Sequence, residues 1–439
     1  MNSLMNKLLF SLFFLISFTS LAQDQLSIED AIKVGLAKNF DIIISNKSTE
    51  INNNNNTWGQ AGRYPSINLN LEQGNALSDQ SNNPTAFIKQ IIRSHSLQGS
   101  LSVNWTLFNG FKVQANKAKL EQLALQSEGN ETLVIENTIQ GIILGYYNAK
   151  LQREKIALLK NVLKLSKDKY EYQKIKKELG TALTFDLLQF ESAYLVDSSS
   201  LIMQKLAYQN AIRNLNLLMA TDVEKEWILT TSLKTEMPIF ESTELIEKMN
   251  SNNQNLKNQF INLELSKQDL KIAKANLYPV VSFNTGAQYT NSNYYLGSNN
   301  QSGTTINYFG NFTLAFRLFD GGKIKRAIKN VEIQEDIQNL NIEKTKLQLN
   351  QQLLIQLANY NARSNLFSIS KKSFEVSKKN LDIAHLKENS GLINSFNLRD
   401  IELAYLRAGV SLFDSMYLII ESKTNLTKLT GGIVGFEDK

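Results

Sequence analysis

The chain has 439 residues, 42 % hydrophobic and 20 % charged, with a formal net charge of +6. It contains no cysteine, which excludes disulfides, iron–sulfur clusters and thiol chemistry. Lysine and glutamate are interspersed rather than blocked, so the positive balance reads as solvated helix faces and not as a nucleic-acid footprint.

Residues 1–22 read as a secretory signal, with Lys7 as the positive start, an apolar run from Leu8 to Phe18, and Ser20-Leu21-Ala22 as the cleavage site. No cysteine follows that site, which removes a lipid anchor. Beyond it, no stretch approaches the roughly 20 apolar residues of a membrane helix. The mature chain is therefore either soluble or crosses a membrane as a β-barrel.

Residues 23–220 form the first of two repeats. A helix is expected from Ser27, where Ser27-x-x-Asp30 makes a capping box, to about Gly62, just ahead of Pro65. Ile67, Leu69 and Leu71 then alternate with Asn68, Asn70 and Glu72, which predicts a strand over about 66–73. After a polar loop over 74–96 comes a strand over 97–108. Leu97, Leu101, Val103 and Trp105 point one way there, and Gln98, Ser100, Asn104 and Thr106 point the other. Asn109 sits at an N-cap position for a long helix over 110–178, and Gly180 supplies the left-handed residue that ends it. A returning helix covers 184–219, and a linker with Trp227 and Pro238 covers 221–241.

The second repeat, 242–431, follows the same order, with only a tail at 432–439 beyond it. A helix is expected to about Leu277, strands over about 280–289 and 308–319 with a polar loop over 290–307, a long helix over 322–388 and a return over 395–429. "LFNGFK" at 107–112 recurs as "LFDGGK" at 318–323, Gly180 as Gly391, and Glu191 as Glu402, always 211 positions on (391 − 180, 402 − 191). A constant offset over separated landmarks marks a duplication. Each long helix would span on the order of 100 Å. Leu340, Leu347 and Leu354, and likewise Ile369, Val376 and Ile383, repeat every seven residues, as in helices packed on neighbours to both sides.

These elements predict a mixed α and transmembrane β fold. Two tandem repeats supply four strands to an oligomeric β-barrel, and long helical hairpins form a periplasmic α-barrel. Single-chain barrels begin at eight strands and open edges cannot be left in lipid, so four strands must be pooled between copies. Asn104, Thr106 and Arg317 are expected to face the lumen. A non-conducting coiled-coil scaffold or adhesin is the alternative, and it leaves the two-faced strands unexplained.

Catalysis finds no support. His95 and His385 are far apart and read as solvated, and no metal spacing, phosphate-binding glycine loop or nucleophile elbow occurs. No enzyme activity and no cofactor are expected.

The duplicated order of helix, proline, strand, loop, strand, F-N/D-G, long helix, glycine turn and helix resembles the TolC family of outer-membrane efflux proteins over almost the whole mature chain. The resemblance implies a homotrimer in the outer membrane, contacting its lipid. It also implies a periplasmic adaptor (membrane fusion) protein and an inner-membrane pump, as in tripartite efflux or type I secretion. It further implies a periplasmic constriction lined by acidic residues six and nine positions past the second tip glycine. Those positions hold Asn397 and Asp400. Only Asp400 keeps the acidic type, and Asp186 lies six past Gly180. The tip turns, Gly180 with Thr181 and Gly391 with Leu392, are the expected adaptor contacts because they stand at the ends of the hairpins.

Overall fold

The computed structural model describes residues 24–234 and 236–434. The signal segment 1–22 and the last residues of the tail lie outside them. The chain divides into two compact units. One is helical and takes the residues through 44, then 132–254, then those from 347 on; the other takes 45–131 and 255–346 and holds the sheet.

The elements run in two matching series. The first is β1 (Gln25–Leu26), α1 (Ile28–Lys38), α2 (Phe40–Asn55), β2 (Ser66–Asp79), β3 (Ile91–Phe108), α3 (Lys112–Glu178) and α4 (Thr184–Leu218). The linker strand β4 (Ile228–Leu229) leads to α5 (Ser242–Asn252), α6 (Gln254–Ala275), β5 (Val280–Leu296), β6 (Asn299–Ala315), α7 (Lys323–Asn389) and α8 (Ser395–Leu429). The long helices α3 and α7 have 67 residues each, and α4 and α8 have 35 each. All four prolines fall outside helices, as the missing N–H and the ring clash require.

Each expected first helix is in fact two. Asn39 breaks the first copy: its Oδ1 accepts the amides of Asp41 (2.9 Å) and Ile42 (3.2 Å), and its Nδ2 donates to the Leu218 carbonyl at 2.8 Å. One side chain thus starts α2 and satisfies an orphan carbonyl at the end of α4. Asn253 stands at the corresponding break between α5 and α6 and donates to the Leu429 carbonyl at 3.0 Å. The first copy also ends at Asn55 rather than Gly62, because asparagines 52–56 are poor helix formers.

The helical core gathers Ile28, Ile32, Ile139, Ile142, Leu215 and Met219 around Tyr146. The fully buried Tyr146 hydroxyl donates to the Leu26 carbonyl (2.8 Å) and accepts from the Thr231 amide (2.9 Å). It therefore ties the linker and the parallel pair β1–β4 to α3. Helix α8 is apolar enough to pass for a membrane helix by composition, yet it buries Leu398, Leu412 and Ile419.

In the other unit the strands form one antiparallel sheet in the order β2-β3-β5-β6. They extend well past the expected ends. The segments 290–296 and 299–307, expected as loop, continue β5 and β6 to a two-residue turn at Gly297-Ser298, where Gly297 has φ 63°. Such a turn requires a residue that tolerates positive φ. Likewise β2 runs on to Asp79, and β3 begins at Ile91, which puts His95 on a strand bonded to Asn75. The backbone ladder continues where the apolar alternation stops, so side-chain pattern alone ends the strands too early.

Candidate functional site

The sheet has two chemically opposite faces. Cross-strand partners share a face, so the register sets rows such as Ile67–Val103–Thr285–Gly310, Leu69–Leu101–Ala287–Tyr308 and Leu71–Gly99–Tyr289–Ile306. No other described element covers this side: Leu71 is 74 % exposed, Tyr308 81 % and Phe312 73 %. A soluble sheet with one buried face would hide these residues. Apolar residues dominate the rows from Tyr289 to Val281 on β5, eight residue steps, or about 27 Å along a strand. A tilt of ~40° turns that into about 21 Å of height, close to that of the lipid-facing band of a membrane barrel.

Rows on the opposite face are polar, for example Ser66–Asn104–Asn284–Asn311 and Glu72–Gln98–Thr290–Thr305. Asn104 and Thr106 belong to this face, as the alternation predicts. Arg317 does not: the β6 ladder ends at Ala315, so Arg317 lies in the connection to α7. There its charge helps hold Asp320 below the usual carboxylate range, after the Ile324 amide as the main cause. Glu72 is the one charged residue on the paired polar face. The outer strands β2 and β6 each have an unpaired edge among the described residues, which presents free backbone donors and acceptors.

The helical unit sorts its heptads into two sets. Leu353 and Leu381 are buried, and the Phe374 ring stacks on Tyr405 at 5.3 Å. Leu347, Leu354, Ile369, Val376 and Ile383 are exposed. One seam closes within the chain, and the other faces outward.

At the tips, Gly180 (φ 73°) and Gly391 (φ 69°) end α3 and α7. The Thr181 amide donates to the Lys176 carbonyl (2.9 Å) and the Leu392 amide to the Lys387 carbonyl (2.8 Å), the six-to-one bond of a Schellman turn. Beside them the Phe185 and Phe396 rings stack at 6.3 Å, which brings together the first turns of α4 and α8. Asp186 lies half-buried in one and Asn397 exposed in the other, where the Asn397 amide is capped by Asn394 Oδ1 at 2.8 Å. Asp400 is exposed one turn further on.

Sequence reasoning missed a buried ion network just above these tips. Arg399 donates two hydrogen bonds to Asp197 (2.9 and 2.7 Å) and lies 3.7 Å from Glu402. Glu402 accepts from Lys169 at 2.5 Å, and Lys169 also approaches Glu388 at 3.8 Å. Asp197 and Glu402 are buried. Burial works against the Arg399 charge, but Asp197 and Glu402 outweigh it and hold the guanidinium pKa above its ordinary value. The available signal was a departure from the duplication. Asp197, Arg399 and Lys169 align at the 211 offset with Ala408, Leu188 and Asn380, so each of these three charges lacks a charged counterpart in the other copy. Among the described residues no cluster of His, Cys, Asp and Glu fits a metal ion.

The outer membrane efflux protein family matches residues 35–221 and 245–432, one match per repeat. The fold is that of the Campylobacter jejuni CmeC outer membrane channel (TM-score 0.76, 15 % identity, 92 % of this chain and 85 % of that chain covered). It is also that of the Neisseria gonorrhoeae MtrE outer membrane channel in its open state (TM-score 0.71, 15 % identity, 92 % and 89 % covered). The Vibrio cholerae outer membrane protein VceC is similar too (TM-score 0.68, 12 % identity, 92 % and 96 % covered). No curated protein matches the sequence.

Proposed function

We propose that this chain, which belongs to the outer membrane efflux protein family, forms a trimeric exit duct that passes substrate from the periplasm to the outside. It is an outer-membrane protein with a periplasmic helical extension. The observation that carries the trimeric duct is the open sheet: an uncovered apolar face about as tall as a lipid-facing band, a polar face behind it, and two unpaired edges. Three copies would supply twelve strands and leave no edge in lipid. The outward-facing seam of Leu354, Ile369, Val376 and Ile383 supports the same assembly, since a neighbouring hairpin would bury it.

In this reading the wall is passive. Asn, Ser, Thr and Gln side chains line the strand section and offer hydrogen bonds without net charge, apart from Glu72. No step on the wall releases energy, so transport is driven by an inner-membrane pump through a periplasmic adaptor. That adaptor docks on the turns at Gly180–Thr181 and Gly391–Leu392, where exposed Leu179, Leu183 and Leu392 offer apolar contact. Asp400, with Asn397 and Asp186, lines the narrow periplasmic end, where three carboxylates would favour cations.

The test is bilayer conductance of the detergent-extracted protein combined with unsymmetrised particle images. Ion-conducting three-fold tubes are the expected result. Compact monomers, or rods without conductance, would return the chain to the scaffold reading.

A further inference from the structure

On the periplasmic side of the apolar band, the sheet unit carries a groove of about 310 Å³ that the duct does not use. Its origin is a mismatch between two strands. The β2–β3 ladder begins at Ser66 opposite Asn104, so Trp105 to Phe108 run on without a β2 neighbour. A bulge between Thr106 and Phe108 leaves Leu107 outside the β3–β5 register, and bulges of this kind re-aim a side chain. Trp105, Leu107 and Phe111 are all exposed, and they make one wall of the groove.

The other wall is Arg63 on Trp58. The Arg63 carbonyl accepts the Trp105 indole N–H at 2.9 Å, and its guanidinium lies 4.9 Å over the Trp58 ring. Its residue is exposed, and no carboxylate pairs with it among the described residues. The connections from strands β3 and β6 to their helices, at this end of the sheet, are basic as well: seven Lys and Arg stand against Asp320 as the one acid within 109–117 and 316–331. A fixed cation beside an apolar trough, at the level where the lipid-facing rows stop, matches a molecule with a phosphate at one end and an acyl chain at the other. Indole rings favour this interfacial level for the same reason. An Arg at a membrane surface also attracts anionic lipid.

We propose that this groove is a binding site for an anionic phospholipid of the periplasmic leaflet, with the phosphodiester on Arg63 and one acyl chain along Trp105, Leu107 and Phe111. The proposal rests on the outer-membrane placement of the sheet and not on the trimer, the pump or the cargo.

The experiment uses the full-length protein and its R63Q and R63K variants in mixed micelles containing palmitoyl-oleoyl phosphatidylglycerol or phosphatidylcholine. Lipid retained after detergent exchange is counted by mass spectrometry. The wild type is expected to retain phosphatidylglycerol over phosphatidylcholine, with affinity about fivefold weaker in R63Q and intermediate in R63K. Inorganic phosphate should not displace the lipid, because a free anion lacks the chain. Three results would overturn the proposal: no preference in the wild type, equal retention by R63Q, or displacement by phosphate alone. Absence of lipid together with a looser oligomer in R63Q would also overturn it, because a second copy of the chain would then fill the groove. The wild-type preference needs no variant to fold, and bilayer conductance measured in parallel separates loss of this site from loss of the channel.

Discussion

Replacing Arg399 by methionine removes the cation that two buried carboxylates share. Asp197 would lose both of its charge-assisted bonds, at 2.9 and 2.7 Å, and would stay buried without a counter-charge. An uncompensated buried charge costs about 3–5 kcal/mol. Asp197→Asn is milder. Arg399 keeps Glu402 at 3.7 Å, and the amide oxygen can still accept, so the loss is that of a charged hydrogen bond, about 1.5–3 kcal/mol. The double variant removes both charges and should be less destabilised than R399M alone. The assay is hydrogen exchange by mass spectrometry on peptides from the middle of α4 and the start of α8, which reports local opening. At about 1.4 kcal/mol per factor of ten, R399M should speed exchange there by about a hundred- to several thousandfold, and D197N by roughly ten- to a hundredfold. Equal effects of the two single variants, or a double variant worse than R399M, would refute the assignment of a buried shared charge.

Glu72→Gln removes the charge from the paired polar face and should lower cation preference in reversal-potential measurements without loss of conductance; an unchanged preference would place Glu72 away from the current. Asp400→Asn should reduce cation selectivity at the periplasmic end, and unaltered selectivity would remove Asp400 from the constriction. Asp320 caps α7 through the Lys323 and Ile324 amides at 3.0 and 2.8 Å, with its pKa held below the ordinary 3.8. Its folded-state pKa is depressed, so the stabilisation is present above 3.8 and is lost as pH falls through the folded value. Asp320→Asn should keep the cap and abolish the acid-induced rise in amide exchange over the first turn of α7; a rise of the same size in the variant would contradict this.

The duplication, the two faces of the strands and the glycine tips were legible in the sequence because each is written in side chains at fixed spacing. Gly180 and Gly391 end α3 and α7 because the left-handed turn needs them, and that need shows at a single position. The breaks at Asn39 and Asn253 were not legible. An asparagine inside a helical pattern looks like a solvated residue until the chain delivers a helix end to it, and the Leu218 carbonyl comes from 179 residues away. The strand extensions were missed for another reason. Residues 290–307 pair through their backbones, and above the apolar band no alternation is needed to hold that pairing. The buried network was hidden by its asymmetry, since Asp197, Lys169 and Arg399 have no charged counterpart at the 211 offset. Arg317 was carried too far along β6 by following alternation past the last backbone pair at Ala315.

The duplication has a consequence for how such a wall could have evolved. A half-chain carrying two strands and one hairpin would need six identical copies to supply the twelve strands of the proposed trimer. In such a ring every mutation would be copied into six places. Fusing two halves in one reading frame cuts that to three and lets the halves specialise. The turn at Phe111 (φ 68°) against Gly322 (φ 76°), and the ion network whose Asp197, Lys169 and Arg399 have no charged counterpart in the other half, record that divergence. A gene of this kind can change alternate staves of its cylinder while leaving those between them untouched.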